Sequence, residues 1–219
     1  MNKKKQLFLT TGIIFVIAIV YTLLVKYYDV ASIGPNGSSV GFSGINAAIH
    51  KLFPYSAGWY KFTKYFGLLP VLYGVYYGIH GVLQLIKYKS LKKVDKRLLY
   101  LLVFYILIAI TFVFFEKVII NYRPILEDGV LEASFPSTHT LIAVCFCASS
   151  LFISKYYIKD KKVLKIFDNA TYVLMIFLVV GRLIAGCHWF TDILGGIIIS
   201  TFLVSLYYSL IYTNKKTSN

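Results

Sequence analysis

The stretch LLYLLVFYILIAITFVFF, residues 98–115, is apolar throughout and contains no charged residue. Its length approaches the roughly 20 residues that a helix needs to span a bilayer. Five further apolar segments of comparable length occupy residues 7–25, 66–86, 136–153, 166–185 and 193–212. Because backbone polar groups in hydrocarbon must be satisfied within their own segment, each segment is expected to be a helix. The sequence therefore predicts an all-α, polytopic membrane protein with six transmembrane helices in a single membrane domain, residues 1–219.

The composition also favours a membrane protein over a soluble one. Hydrophobic residues make up 58% of the chain and charged residues only 15%. A net charge of +14 suggests nucleic acid binding in a soluble protein. Here the basic residues cluster between apolar segments, at residues 3–5, 87–97, 155–165 and 215–216, so no nucleic-acid partner is expected. Alternating spans put these clusters on one side, and the positive-inside rule predicts that this side and both termini are cytoplasmic. The lysine-rich composition and short loops suggest a cell membrane.

The first outer loop, residues 26–65, contains a predicted interfacial helix. Ile45, Ile49 and Leu52 recur at helical spacing, and aromatic residues interspersed with lysines follow them. This pattern is typical of a helix that lies in the headgroup region. A plain interfacial linker and a lipid-guiding helix both remain open, because belts of aromatic residues are common at membrane surfaces.

Ionisable and hydroxyl residues from three segments converge on the membrane face that is predicted to be outer. They are Lys117 and Arg123 after the third span, Ser137, Thr138 and His139 at the start of the fourth, and Arg182, His188 and Asp192 around the last turn. Taken singly, they are explained by snorkelling arginines, a helix-capping serine and a structural hydrogen bond. Ionisable residues at membrane depth are nevertheless functional candidates by default, and their convergence favours a functional site over residues 117–192.

The cationic part of this set is suited to phosphate. Arg123 and Arg182 carry fork-shaped donors that match phosphate oxygens, and Lys117 adds a further positive charge. The start of the fourth helix offers free backbone N–H groups and the positive end of the helix dipole. Ser137 contributes a hydroxyl donor. The sequence thus predicts an anion site for a phosphoryl group.

The two histidines supply the groups that phosphoryl transfer needs. His188 is the candidate nucleophile, and Asp192, four residues later, is placed to orient its ring if both lie on one helix. His139 is the candidate general acid for the leaving oxygen. The sequence contains no dense cluster of carboxylates or of His and Cys that is typical of a Mg²⁺ or Zn²⁺ site. Neither a metal nor a cofactor is therefore predicted.

These three groups of residues resemble the signature motifs of the type-2 phosphatidic acid phosphatase family, also called lipid phosphate phosphatases. The third motif is the most specific part, with arginine, five residues, histidine, three residues and aspartate matched without a gap. The resemblance implies a six-helix enzyme that cleaves lipid phosphates or pyrophosphates through a phosphohistidine and needs no metal. It implies His188 as nucleophile, Asp192 as its partner and His139 as acid. It assigns the phosphate to Lys117, Arg123, Ser137, Arg182 and the backbone N–H of Thr138.

Three positions depart from the motifs of this family. Five residues separate Lys117 from Arg123 where the family usually has six, and Glu116 stands at the usual lysine position. At about 100° per residue, the shortened spacing turns Lys117 about 100° away from the expected helix face. Thr138 stands where glycine is common, which leaves the backbone N–H in place. Gly181 replaces the serine that usually precedes the third-motif arginine, and so removes one hydroxyl donor.

The remaining histidines and acids are given structural interpretations. His50 lies on the interfacial segment and His80 on the second span, and both are expected to be satisfied structural residues. Glu127, Asp128 and Glu132 form an acidic outer loop that is interpreted as solvated surface, with repulsion or gating of an anionic substrate as the alternative.

The predicted function is a membrane phosphatase whose site opens at the outer face and takes a membrane lipid as substrate. Undecaprenyl pyrophosphate, phosphatidic acid and phosphatidylglycerol phosphate all remain candidates. A lipid phosphotransferase with the same residues, a non-catalytic anion transporter or scaffold, and a serine hydrolase built on Ser137 are the alternatives. Ser137 lacks the nucleophile-elbow sequence of such hydrolases. The oligomeric state is left open.

Overall fold

Eight helices make up most of the computed structural model of the protein, which describes residues 2–215. They are α1 (Lys3–Tyr27), α2 (Ser43–Leu52), α3 (Ala57–Phe66), α4 (Val71–Tyr88), α5 (Lys96–Lys117), α6 (Thr138–Tyr157), α7 (Lys161–Ile184) and α8 (Phe190–Lys215). Within the described residues, pairing of extended backbone is limited to isolated bridges. The all-α prediction is confirmed.

Six helical segments in the described part of the chain are long and apolar enough to cross a membrane. Five of them are single helices, and α3 and α4 together form the sixth, Ala57–Tyr88. The predicted six-span architecture is therefore confirmed. Lys216, from the last predicted basic cluster, lies outside the described residues.

Helices α6 and α8 form the centre of the bundle. They are the most buried of the six spans, and α8 also packs against α1 and α5. Two glycines of α8 permit α8 to approach the start of α6 closely. A Cβ atom on Gly195 would lie 2.3 Å from the Phe135 ring, and one on Gly196 would lie 3.0 Å from Thr140 Cβ. The start of α8 is thereby held against the start of α6, and both termini contribute to the candidate site.

The predicted interfacial segment is divided into two helices. Pro54 lies between α2 and α3, and proline does not continue a helix because it has no N–H to donate. Ser56 then caps α3, since its Oγ accepts from the N–H of Trp59 at 3.5 Å. The backbone N–H of Ser56 also donates to the carbonyl of Ala185 at 3.1 Å, which ties the start of α3 to the end of α7.

The connection between α5 and α6 folds back on itself over residues 121–134, here called the hairpin loop. The backbone N–H of Arg123 donates to the carbonyl of Glu132 at 3.0 Å. At the tip, Asp128 and Gly129 have positive φ angles of 51° and 80°. An Asp-Gly pair is the preferred sequence for a tight turn of this kind. Both ends of the hairpin loop are thus returned to the same end of the bundle.

Candidate active site

The turn between α7 and α8 carries His188. Gly186 makes this turn possible, because its φ is 61° and a Cβ atom there would lie 2.6 Å from the carbonyl oxygen of Phe53. His188 follows in the turn with only 5% of its surface exposed. The close approach of Phe53 fixes the backbone on which the candidate nucleophile is carried.

A serine lies between the candidate nucleophile and its predicted carboxylate partner. Ser134 Oγ is 3.0 Å from His188 Nδ1 and 2.6 Å from Asp192 Oδ2. Asn121 Nδ2 donates to Asp192 Oδ1 at 3.2 Å, and the Trp189 N–H donates to Oδ2 at 3.0 Å. Asp192 is therefore held by three donors and acts on His188 through Ser134, whereas the sequence predicted a direct pairing.

This geometry fixes the tautomer of the imidazole. Because the Ser134 hydroxyl donates to Asp192, its oxygen accepts from His188, and the ring proton lies on Nδ1. Nε2 then carries the lone pair, and it is a buried atom without a hydrogen-bond partner among the described residues. Burial, followed by the positive charges of Arg182 and Arg123, lowers the pKa of His188 well below its usual value. His188 thus presents a neutral, unpaired nitrogen.

Arg182 is buried with two of its donors unpaired. It is 1% exposed, its Nη1 donates to Thr63 Oγ1 at 3.2 Å, and its guanidinium carbon lies 5.4 Å from the centroid of the Tyr60 ring. Nε and Nη2 are buried without hydrogen-bond partners among the described residues. Buried, unpaired donors on a charged group are costly, so an anion at this position stabilises the arrangement.

Arg123 faces the same region from the hairpin loop. Its Nη1 donates to Glu127 Oε2 at 2.5 Å and its Nη2 lies 3.3 Å from Glu132 Oε2. Its Nε is a further buried donor without a partner in the described part of the chain. The acidic residues that were interpreted as solvated surface therefore include two that pair with a candidate phosphate ligand.

Glu127 also links the hairpin loop to α3. Its Oε1 accepts from Lys64 Nζ at 2.8 Å and from the Tyr60 hydroxyl. Burial alone raises the pKa of the Glu127 carboxyl, but hydrogen bonds from Lys64 and Tyr60, with the charge of Arg123, outweigh it and lower the pKa to about 2. The carboxyl is consequently ionised at any physiological pH.

The start of α6 brings Ser137, Thr138 and His139 to the cluster. The N–H of Ser137 donates to the carbonyl of Asp192 at 2.9 Å, and its Oγ accepts from Thr140 Oγ1 at 3.1 Å. The first N–H groups of a helix have no intrahelical acceptor, so the N–H of Thr138 remains available to an anion. The ring of His139 lies against the turn before α4, where a Cβ atom on Gly67 would lie 2.7 Å from its Cδ2.

Lys117 is placed differently from the other predicted residues. It is the last residue of α5 and is exposed. In the part of the chain that the structure describes, no hydrogen bond or ion pair connects it with the arginines or histidines of the cluster. The other predicted residues come together at the starts of α6 and α8, the end of α7 and the hairpin loop.

Several residues around the cluster were not predicted to be site residues. They are Asn121, Glu127 and Ser134 in the hairpin loop and Tyr60, Thr63 and Lys64 in α3. A sequence signal existed only for Ser134, which lies two positions before the Pro136 that opens the second motif. Among residues 2–215, no group of three or more His, Cys, Asp or Glu side chains is arranged to hold a metal ion. The donors that converge here are cationic and suited to an anion.

Comparison with known proteins identifies a family and a similar fold. The model of the PAP2 superfamily matches residues 97–216, which include all three groups of candidate residues. A crystal structure of a transmembrane PAP2-type phosphatidylglycerolphosphate phosphatase from Bacillus subtilis is similar in fold, with a TM-score of 0.59 and 21% identity over 97% of this chain and 98% of that chain. The search of curated proteins finds no match.

The chain belongs to the PAP2 superfamily. The family predicted from the sequence motifs is thereby confirmed, and with it the predicted class of enzyme, a membrane-embedded lipid phosphate phosphatase.

Proposed function

We propose that this phosphatase removes phosphate from a lipid phosphate or pyrophosphate through a phosphohistidine on His188, without the help of a metal. One observation carries the proposal: His188 Nε2 and unpaired donors of Arg123 and Arg182 are buried in one cluster. A nucleophilic nitrogen without a partner and cationic donors without an anion are what an incoming phosphoryl group satisfies.

In the first step, Nε2 of His188 attacks phosphorus, and the P–N bond forms as the P–O bond to the lipid or lipid phosphate breaks. His139 gives its proton to the leaving oxygen. The Nδ1 proton stays on the ring, where Ser134 and Asp192 stabilise the positive charge that develops. Arg123 and Arg182 balance the charge on the equatorial phosphoryl oxygens.

In the second step, water breaks the P–N bond. His139, now neutral, takes a proton from the attacking water, so that inorganic phosphate leaves and both histidines return to their starting states. Ser137 Oγ already accepts from Thr140, and its own proton is available to the phosphoryl group. The N–H of Thr138 adds a donor from the helix start.

An apolar groove supports a lipid as the substrate. It has a volume of about 450 Å³ and is lined by side chains of α1, α5 and α8, among them Thr111 and Phe115. The same two residues also line a much smaller pocket, of about 10 Å³, whose lining includes Glu116, Ser134 and Thr138. A lipid tail in this groove stays in the apolar phase while its head group enters the cationic cluster.

The site is assigned to the outer face of the cell membrane. The support is the charge pattern, because the basic clusters lie at the ends of the spans opposite to the cluster and are predicted to be cytoplasmic. Undecaprenyl pyrophosphate, phosphatidic acid and phosphatidylglycerol phosphate are all compatible with this placement. A likeness at 21% identity does not choose among them.

The test measures release of inorganic phosphate by detergent-purified protein, in excess chelator, from these three lipids. His188→Ala is expected to lower the rate by several orders of magnitude, because it removes the atom that forms the covalent intermediate. Acid quenching of the wild type should trap an acid-labile phosphoprotein that the variant lacks. Activity that survives in folded His188→Ala contradicts the proposal. Phosphorylated lipid products in place of inorganic phosphate identify a phosphotransferase.

A further inference from the structure

One face of α3 is turned toward the phosphate site. Tyr60, Thr63 and Lys64 are three and four residues apart, a spacing that puts side chains on one side of a helix. Tyr60 lies beneath the guanidinium of Arg182, Thr63 accepts from it, and Lys64 Nζ lies 2.8 Å from Glu127 Oε1. A helix outside the three motifs thus contacts Arg182 through two side chains of one face, and through Lys64 of the same face it contacts Glu127, which pairs with Arg123.

Glu127 shows that two cations in this region bind the same anion. One of its oxygens is bound by Lys64 at 2.8 Å, and the other by Arg123 at 2.5 Å. A carboxylate and a phosphate present oxygens that the same donors bind. Because Lys64 and Arg123 already share one anion, both are within reach of a single phosphoryl group.

Lys117 is not bound to Glu127 in this way. It is exposed at the end of α5, and among the described residues no hydrogen bond or ion pair joins it to Arg123, Arg182 or the histidines. Lys64, in contrast, is three residues before Gly67, against which the ring of His139 lies. The side chain of Lys64 is 49% exposed, so it is free to follow an incoming phosphate.

We propose that Lys64 of α3 is the lysine that binds the substrate phosphate, in place of Lys117, and that Glu127 holds Lys64 and Arg123 together until phosphate displaces it. The inference rests on the proposed function and deepens it, since it names a phosphate ligand outside the motifs. Electrostatically, the exchange replaces one carboxylate with a phosphoryl group of higher charge on the same two cations.

The test compares Lys64→Met with Lys61→Met in purified, folded protein. Lys61 lies on the same helix, is exposed and carries the same charge. Two quantities are measured: kcat/KM for phosphatidic acid with short acyl chains, and the Kd of inorganic phosphate by calorimetry. Lys64→Met is expected to lower kcat/KM and raise the Kd by about 10- to 100-fold, as for loss of a hydrogen bond to a charged group. Lys61→Met should leave both unchanged, and Lys64→Arg should restore most of the binding.

Two results overturn the proposal. In the first, Lys117→Met weakens phosphate binding while Lys64→Met leaves it within about twofold of the wild type. The second concerns Glu127→Gln, which serves also where Lys64→Met fails to fold. Removing the competing charge is expected to tighten phosphate binding, so unchanged or weaker binding contradicts the displacement. Phosphate binding is measured without turnover, so these outcomes are separate from an inactive wild type or an active His188→Ala, which contradict the proposed function itself.

Discussion

Replacing Ser134 with alanine tests whether the bridge between His188 and Asp192 works in catalysis. The substitution removes a hydrogen bond of 2.6 Å to the carboxylate and another of 3.0 Å to the imidazole. A hydrogen bond to a charged group contributes about 2 kcal/mol, and each 1.4 kcal/mol in the barrier is about a factor of ten in rate. We therefore expect kcat to fall about 30-fold.

The split between kcat and KM separates this role from a structural one. In the proposed mechanism both partners of Ser134 are catalytic groups, so KM should stay within about twofold while kcat falls. The assay is a rapid acid quench of a single turnover with radiolabelled lipid phosphate, which reports formation of the phosphoenzyme directly. Ser154→Ala is the matched control, since Ser154 is a fully buried serine whose only side-chain hydrogen bond among the described residues is one of 3.4 Å to the Leu151 carbonyl.

The reasoning is refuted by a folded Ser134→Ala protein that forms the phosphoenzyme as fast as the wild type. It is equally refuted if KM rises and kcat does not change, because Ser134 then acts on binding. Thermal unfolding of both serine variants in the same detergent shows whether a slower rate reflects loss of structure. Equal midpoints for the two variants exclude that explanation.

Two further predictions concern the histidines. Gly67→Ala places a Cβ atom 2.6 Å from the Thr63 carbonyl oxygen and 2.7 Å from the His139 ring, so it is expected to lower kcat by about tenfold or more through displacement of the acid and of the end of α3, whereas Gly78→Ala, with nothing within 4 Å, should be neutral in the same phosphate-release assay. A lowered pKa keeps His188 neutral as the pH falls through 6.5, so the rate of phosphoenzyme formation should not fall there and should decline only in more acidic buffer. If single-turnover measurements show this rate falling as the pH is lowered, with a midpoint near pH 6.5, the neutral nucleophile is contradicted.

The membrane architecture was readable from the sequence because each span satisfies its own backbone hydrogen bonds. Length and polarity of one segment are then sufficient to predict one helix, as for residues 98–115, which lie within α5. The structure of the segment before the second span was harder to predict from the sequence. Its aromatic and lysine-rich sequence fits a surface helix, but the break at Pro54 and the packing of α3 against α7 depend on contacts with residues more than 100 positions away.

The candidate site was readable only where its residues are close in sequence. Spacing within a motif is a local property, and it identified Arg182, His188 and Asp192 together. Ser134 and Asn121 reach Asp192 only because the hairpin loop returns its two ends to the same place, and that return depends on the turn at its tip. A single sequence contains no direct measure of which loop residues meet after such a turn.

The position before the third-motif arginine shows that a departure from a motif can have a reason in the packing of two helices. Gly181 lacks the hydroxyl that the family usually has there, yet a Cβ atom on it would lie 2.8 Å from Thr63 Cγ2. Glycine is thus what allows α3 to approach α7 closely enough for Thr63 Oγ1 to accept from Arg182 at 3.2 Å. A hydroxyl oxygen still contacts the arginine, but it comes from another helix. The same face of α3 carries Lys64. Side chains of this one helix face therefore lie where the first and the third motif depart from the family pattern.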